Sequence, residues 1–411
     1  MHTQQERLLS KYIEKRILFP SFISEKPSSD LGLIIVIPSY NEQELHRSIQ
    51  SLSQCEQPSC HVEIIVVINA SESSPQEIID TNMRSYEMAL SVVLPSWCTL
   101  HCIIKNDLPK KKAGVGLARK IGMDEALRRY YHLENPDGII VCFDADSSVS
   151  ANYLKEIDHF FSSTSHRSCS IDYHHPTSGD EYDPTIYEGI IHYELHLRYF
   201  IEMQKRIGLP FAYHTVGSSM ACTMSAYASI GGMNIRKAGE DFYFIQKLIK
   251  YGHHGELNST KVIPSPRLSD RVPFGTGRAI LEMKEKNAFD YFTYHPTSFY
   301  ILEELVNSMT YCFERGKFAA HLDPRLIEYL STVDGNEVLA RIRKNTSDYK
   351  TFQKGFWQWF DAFQLMKYLH YIRDNYIEDL SIVEAMKTAF NDAGPTALEQ
   401  LQYLRSLHDQ D

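Results

Sequence analysis

The sequence predicts an α/β fold on a mostly parallel central sheet, with a helical region following it. Three observations carry that expectation. Apolar, β-branched runs alternate with helix-period segments over the first two-fifths of the chain. Polar and acidic residues cluster directly after the carboxyl ends of two of those runs. Beyond about residue 283 the pattern becomes helical.

The first strand is Leu33–Ile37, closed by Pro38-Ser39-Tyr40-Asn41-Glu42, and Leu45, Ile49 and Leu52 then mark one face of a helix. The second is Ile64–Ile68, ended by Asn69 and a serine-rich turn. A third, Leu100–Ile104, runs into Lys110-Lys111-Lys112 and a helix starting near Gly116. The fourth, Ile139–Phe143, delivers Asp144-Ala145-Asp146. Strands that are apolar throughout are buried on both faces, which a parallel sheet covered by helices requires. Ligands of such sheets bind at the carboxyl ends of the strands. Further helices are expected at Ile190–Ile207 and Asp241–Tyr251. Phe356, Phe360, Phe363, Met366, Leu369 and Ile372 form a stripe at spacings of three and four that reads as core. The expected division is a helical extension over 1–30, the sheet domain over 31–282 and the helical region over 283–411.

A length of 411 residues leaves room for two or three domains, and 43% apolar residues excludes wholesale disorder. The net charge of −10 argues against nucleic acid as the main partner. The three lysines at 110–112 suit a small anion or a solvated loop, and charge alone favours the loop. Eight scattered cysteines include no CxxC pair, so reduced thiols are expected rather than a zinc site. Met1–Ser29 lacks an apolar signal segment, and no run is long enough for a bilayer span. A soluble, cytoplasmic protein is expected.

Three motifs carry chemistry. Asp144 and Asp146, two apart in an extended segment, project to one side and offer hard oxygen ligands suited to Mg²⁺ or Mn²⁺. The bland reading of the same tripeptide is a turn with solvated acids. Gly114-Val-Gly116-Leu-Ala-Arg119 opens a helix, where backbone N–H groups and a guanidinium can approach phosphate; a structural glycine turn is the alternative. Glu240-Asp241 opens another helix, either as a cap complementing the helix dipole or with one carboxylate as a general base.

Taken in order, these segments resemble the family 2 glycosyltransferases, whose fold is the GT-A (nucleotide-diphospho-sugar transferase) fold. The matching stretches are "VIPSYNE" (36–42), "GVGLARKIGM" (114–123), "FDAD" (143–146), "VGSSMACTMSAYASIGGMN" (216–234) and "GEDFYF" (239–244), within roughly 31–280. The resemblance implies a metal-dependent transferase acting on a UDP- or GDP-sugar donor, with Mn²⁺ or Mg²⁺ as cofactor and an acceptor hydroxyl of unnamed identity. It puts Pro38, Tyr40 and Glu42 at the nucleoside, Asn69 at the end of the second strand beside them, Arg119 and Asp144 near the donor, and Gly217 and Ser218 in the loop near the acceptor and the donor sugar. It assigns the metal to Asp144 and Asp146, and makes Asp241 the catalytic base of an inverting reaction with Glu240 beside it.

The chain also departs from the family pattern. Asn69-Ala70-Ser71 replaces the usual aspartate pair, and Met224-Ser225 lacks the usual basic neighbour. No histidine past the acidic helix stands out as a third metal ligand. Asp270, and the basic loop Arg267–Arg278 that includes Arg271, are the candidates to reach metal or diphosphate. Other readings are a retaining GT-A enzyme, a sugar-phosphate nucleotidyltransferase and a non-catalytic binding module. A nucleotidyltransferase usually has a glycine-rich loop where this chain has Pro-Ser-Tyr-Asn-Glu.

Overall fold

The computed structural model describes residues 4–269, 275–286 and 288–408, and these pack as two compact units. The first comprises 1–181 with 215–278, and the second comprises 182–214 with 279–411.

Among the described residues of the first unit, eight strands form one sheet. They are β1 (Leu31–Ser39), β2 (His61–Ser71), β3 (Cys98–Leu108), β4 (Ile139–Cys142), β5 (Ser148–Val149), β6 (Ser168–Tyr173), β7 (Met220–Thr223) and β8 (His254–Ile263). Their order is β3-β2-β1-β4-β7-β6-β8-β5. The first four pair in parallel, with Ile35 opposite Ile64 on one side and Val141 on the other. β7 runs antiparallel to both β4 and β6, and β5 runs antiparallel to β8, so the sheet is mostly parallel with one reversed strand inside it and one at its edge. Leu33–Ile37 and Ile64–Ile68 are wholly shut off from solvent, as their unbroken apolar character requires.

Pro38 lies inside β1, a central strand, where proline is normally excluded. Val36 is the last residue of β1 paired with β4, and its carbonyl accepts from the Phe143 N–H. Pro38 has the same parity, so its missing donor faces the side where β4 has already ended. That termination opens the sheet at the point where the acidic segment begins.

The Gln4–Arg16 helix belongs to this unit and packs on the Val115–His132 helix. The Tyr12 hydroxyl donates to Asp124 at 2.9 Å, and Lys120 donates to that hydroxyl at 3.0 Å. Residues 4–30 thus belong to the same unit as the sheet.

In the second unit the Pro184–Arg206 helix pairs with Ala397–His408, and Arg405 donates to both Glu194 oxygens at 2.9 and 2.7 Å. The expected stripe from Phe356 to Ile372 is two helices, Tyr349–Trp359 and Ala362–Asn375. Asp361 caps the second by accepting from the Phe363 and Gln364 N–H groups. The break shifts the helical phase, so Met366 is 36% exposed whereas Leu365 and Tyr368 are buried beside Leu369 and Ile372.

All eight cysteines are unpaired, and burial pushes the Cys98 and Cys102 thiols up to about 12. Among the described residues no helix is long and apolar enough to cross a membrane.

Candidate active site

The expected site residues that the structure describes gather at the carboxyl ends of β1, β2 and β4 and on the loops facing them. Asn41 follows β1 with φ +48°, a left-handed conformation asparagine tolerates, and its N–H donates to the Asn82 side chain at 2.9 Å. That turn drives Glu42 inward until it is 1% exposed. The Asn69 amide, equally withdrawn, donates to the Ser39 carbonyl at 2.9 Å. Asn82 donates to the Asn69 carbonyl and to the Asn106 side chain, each at 3.0 Å. The ends of β1, β2 and β3 are therefore laced by side-chain amides. Asn82 and Asn106 were not singled out from the sequence, because the burial that marks Asn82 within the Gln76–Leu90 helix shows only in the structure.

Arg119 lies one turn into the Val115–His132 helix and is 3% exposed. One terminal nitrogen donates to Glu240 and the other to Asp144. Its Nε, also buried, has no partner among the described residues. Burial opposes the charge of this guanidinium, but Asp144 and Glu240 outweigh it and hold the pKa above its ordinary value. The guanidinium packs on Gly217, the residue before the buried pair Ser218 and Ser219. A β-carbon at 217 would lie 2.6 Å from both terminal nitrogens.

Gly239, at φ +68°, turns the chain into the Glu240–Tyr251 helix, a left-handed step that suits glycine. Glu240 is buried, and Asp241 accepts from the Phe242 N–H at 2.7 Å. Burial raises the proton affinity of both carboxyls; Arg119 opposes this, and Asp144 adds to it. The helix position that suggested caps therefore serves one buried ion pair and one carboxyl beside it.

The acidic tripeptide is not extended. Ser147 N–H bonds to the Asp144 carbonyl at 3.3 Å, making a turn over Ala145-Asp146, so strand alternation does not set the carboxylate directions. Asp144 pairs with Arg119, whereas Asp146 pairs with Arg267 at 2.6 Å. Arg267 also grips Glu42: one nitrogen donates to Oε1 at 3.0 Å and the other to Oε2. From the sequence Arg267 was named only as the start of a basic loop. Asp270 and Arg271 lie outside the described residues.

Among the described residues, Glu42, Asp144, Asp146, Glu240 and Asp241 thus surround the Arg119 and Arg267 guanidiniums, so that carboxylates outnumber guanidiniums there. Among the described residues no group of three metal-ligating side chains forms. Two partly exposed aspartates with hard oxygens in an electronegative setting fit Mg²⁺ or Mn²⁺, which take one or two carboxylates and complete their shell with water and phosphate.

Residues 34–220 match Glycosyl transferase family 2, and residues 139–313 match Glycosyl transferase family group 2. The two matches overlap and together run from 34 to 313, well over half of the chain. No curated protein matches the sequence. Among solved structures, Staphylococcus aureus TarS 1–349 in complex with UDP-GlcNAc is 12% identical with a TM-score of 0.38, over 92% of this chain and 91% of that one. The mannosyltransferase PcManGT from Pyrobaculum calidifontis, in complex with GDP-Man and Mn²⁺, is 12% identical with a TM-score of 0.36, over 99% of each chain.

Proposed function

The chain belongs to the family 2 glycosyltransferases and has the GT-A fold, and from that premise we propose that it transfers a sugar from a UDP- or GDP-sugar to an acceptor hydroxyl with inversion. The observation that carries this reading is the Arg119 guanidinium, which ties Asp144 on the donor side to Glu240 beside Asp241.

In the reaction proposed, the acceptor oxygen bonds to the anomeric carbon as the bond from that carbon to the diphosphate oxygen breaks. The electron pair leaves with the diphosphate, and the acceptor proton passes to the Asp241 carboxylate. Burial raises the proton affinity of Asp241, which suits a base working nearer to neutrality than an exposed aspartate would. Glu240 does not take the proton: its carboxylate is engaged with Arg119 and keeps that guanidinium in place.

Asp144 and Asp146 would hold Mg²⁺ or Mn²⁺, with Asp270 as a further ligand. When bound, the ion would supply Lewis-acid charge at the leaving diphosphate. Pro38, Tyr40, Glu42 and Asn69 line the nucleoside side. Arg119, Gly217 and Ser218 face the sugar diphosphate, and Arg271 is the further candidate for contacting it. Asn69 spends its amide N–H group on the Ser39 carbonyl, which supports a structural role in shaping the base pocket.

The test is turnover of UDP- and GDP-sugars with Mn²⁺, with NMR assignment of the product anomer. Inversion that depends on Asp241 supports the reading. Retention of the donor anomer would remove Asp241 from the role of base.

A further inference from the structure

Arg267 stands between two carboxylates that the donor site needs for different purposes. Its terminal nitrogens engage both Glu42 oxygens, and the nitrogen on Glu42 Oε2 is shared with Asp146. Glu42 is fixed independently, since its Oε1 accepts from the Glu44 N–H at 3.0 Å and its carbonyl accepts from the Ser85 hydroxyl. Arg267 is itself largely enclosed, at 23% side-chain exposure, and its Nε has no partner among the described residues. Burial opposes the charge of the guanidinium, and Asp146 and Glu42 offset that cost.

We propose that Arg267 is a resident counter-ion of Asp146 and is exchanged for the metal only when a nucleoside diphosphate arrives with it. The proposal rests on the donor-site reading above and adds how that site is controlled. A divalent cation on Asp146 and a guanidinium on the same carboxylate repel each other at contact distance, so metal alone must displace Arg267. A diphosphate changes the balance by bringing its own negative charge. Arg267 then gives up one contact, keeps its hold on Glu42, and turns its planar N–H edge towards phosphate oxygens, a geometry guanidinium suits. No bond is made or broken; one ionic contact replaces another.

Metal and nucleotide binding are therefore coupled through one side chain, and coupling of this kind is reciprocal. Removing Arg267 should move the two affinities in opposite directions. Loss of a competing cation strengthens Mn²⁺ alone, whereas loss of a charge-assisted donor weakens the nucleoside diphosphate. A residue that merely props up the loop would not strengthen either ligand.

Calorimetric titration of the full chain with Mn²⁺ alone, and with UDP and GDP at saturating Mn²⁺, reads both terms. For Arg267→Gln the expected result is Mn²⁺ affinity raised about fivefold or more, with the affinity of the preferred nucleotide lowered about tenfold or more. Should Arg267→Gln fold poorly because the buried Glu42 loses this counter-charge, the double variant Glu42→Gln/Arg267→Gln removes the carboxylate charge as well. It should still bind Mn²⁺ more tightly than the wild type. Unchanged or weaker Mn²⁺ binding in the folded variant overturns the exchange while leaving the donor site intact. A wild-type protein that binds neither UDP nor GDP with Mn²⁺ overturns the donor-site reading and this proposal with it.

Discussion

Arg119 aims the edge between its two terminal nitrogens at Gly217 so closely that a single added methyl group would lie 2.6 Å from both of them. The helix carrying Arg119 and the loop carrying Gly217 are separated by almost a hundred residues, yet one has no side chain where the other needs room. Gly217→Ala is expected to cost about 1–3 kcal/mol as overpacking of a close-fitted site. It should also push the guanidinium away from Asp144 and weaken donor binding. Denaturant unfolding together with nucleotide titration checks both effects; a variant of unchanged stability and affinity would show that the contact yields freely.

Loss of Arg119 strands Glu240, which is 2% exposed. Arg119→Leu is expected to cost about 3–5 kcal/mol, because the partner charge remains buried. Adding Glu240→Gln should recover part of that loss by removing the orphaned charge. A double-mutant cycle with no coupling between the two positions would contradict the pairing.

The ligand-free protein should lose stability as pH rises through the range in which Glu240 ionises. Burial pushes this carboxyl from the usual 4.5 up to about 7, and Asp241 shifts in the same direction for the same reason. A carboxyl with a raised folded-state pKa binds its proton more tightly when native, so its stabilisation is complete below the unfolded value and gone above the folded one. Melting temperature is expected to decline across that window, and Glu240→Gln should flatten the decline. A profile unaffected by the substitution would remove Glu240 as its source.

Tyr12 offers a control remote from the proposed chemistry. Its hydroxyl bridges Asp124 and Lys120 on the Val115–His132 helix. Tyr12→Phe should cost about 1 kcal/mol, the net worth of such a hydrogen bond, and leave nucleotide affinity unchanged. A loss of affinity larger than threefold, from a protein still folded, would show that the N-terminal helix sets the position of Arg119.

Parts of this architecture were legible because they are written locally. The apolar runs of β1 and β2 leave no polar face, so their burial in a covered parallel sheet follows from the residues themselves. The positions after β1 and β4, including Glu42, Asp144 and Asp146, then fall at the carboxyl-end edge of the sheet by topology. Pairings between distant segments were not legible. Glu42 and Arg267 are 225 residues apart, and nothing in either neighbourhood specifies the other. The turn at Ala145-Asp146 was hidden because an acidic tripeptide suits a strand end and a turn equally. Asp361 interrupts an apolar stripe whose spacing continues across the break, so periodicity alone does not show the boundary between the two helices. The Pro184–Arg206 helix went with the C-terminal unit for a similar reason: its Glu194 meets Arg405, 211 residues further on.

The most direct test of the account is thermal unfolding with UDP and GDP, each with and without Mn²⁺, in wild type, Asp146→Asn and Asp241→Asn. A ligand that binds the native state raises the melting temperature according to its affinity and concentration. The expected result is a Mn²⁺-dependent rise with one of the nucleotides, abolished in Asp146→Asn and kept in Asp241→Asn, whose turnover falls about 10²–10⁴-fold. A rise that is equal without metal, or that survives in Asp146→Asn, would contradict it.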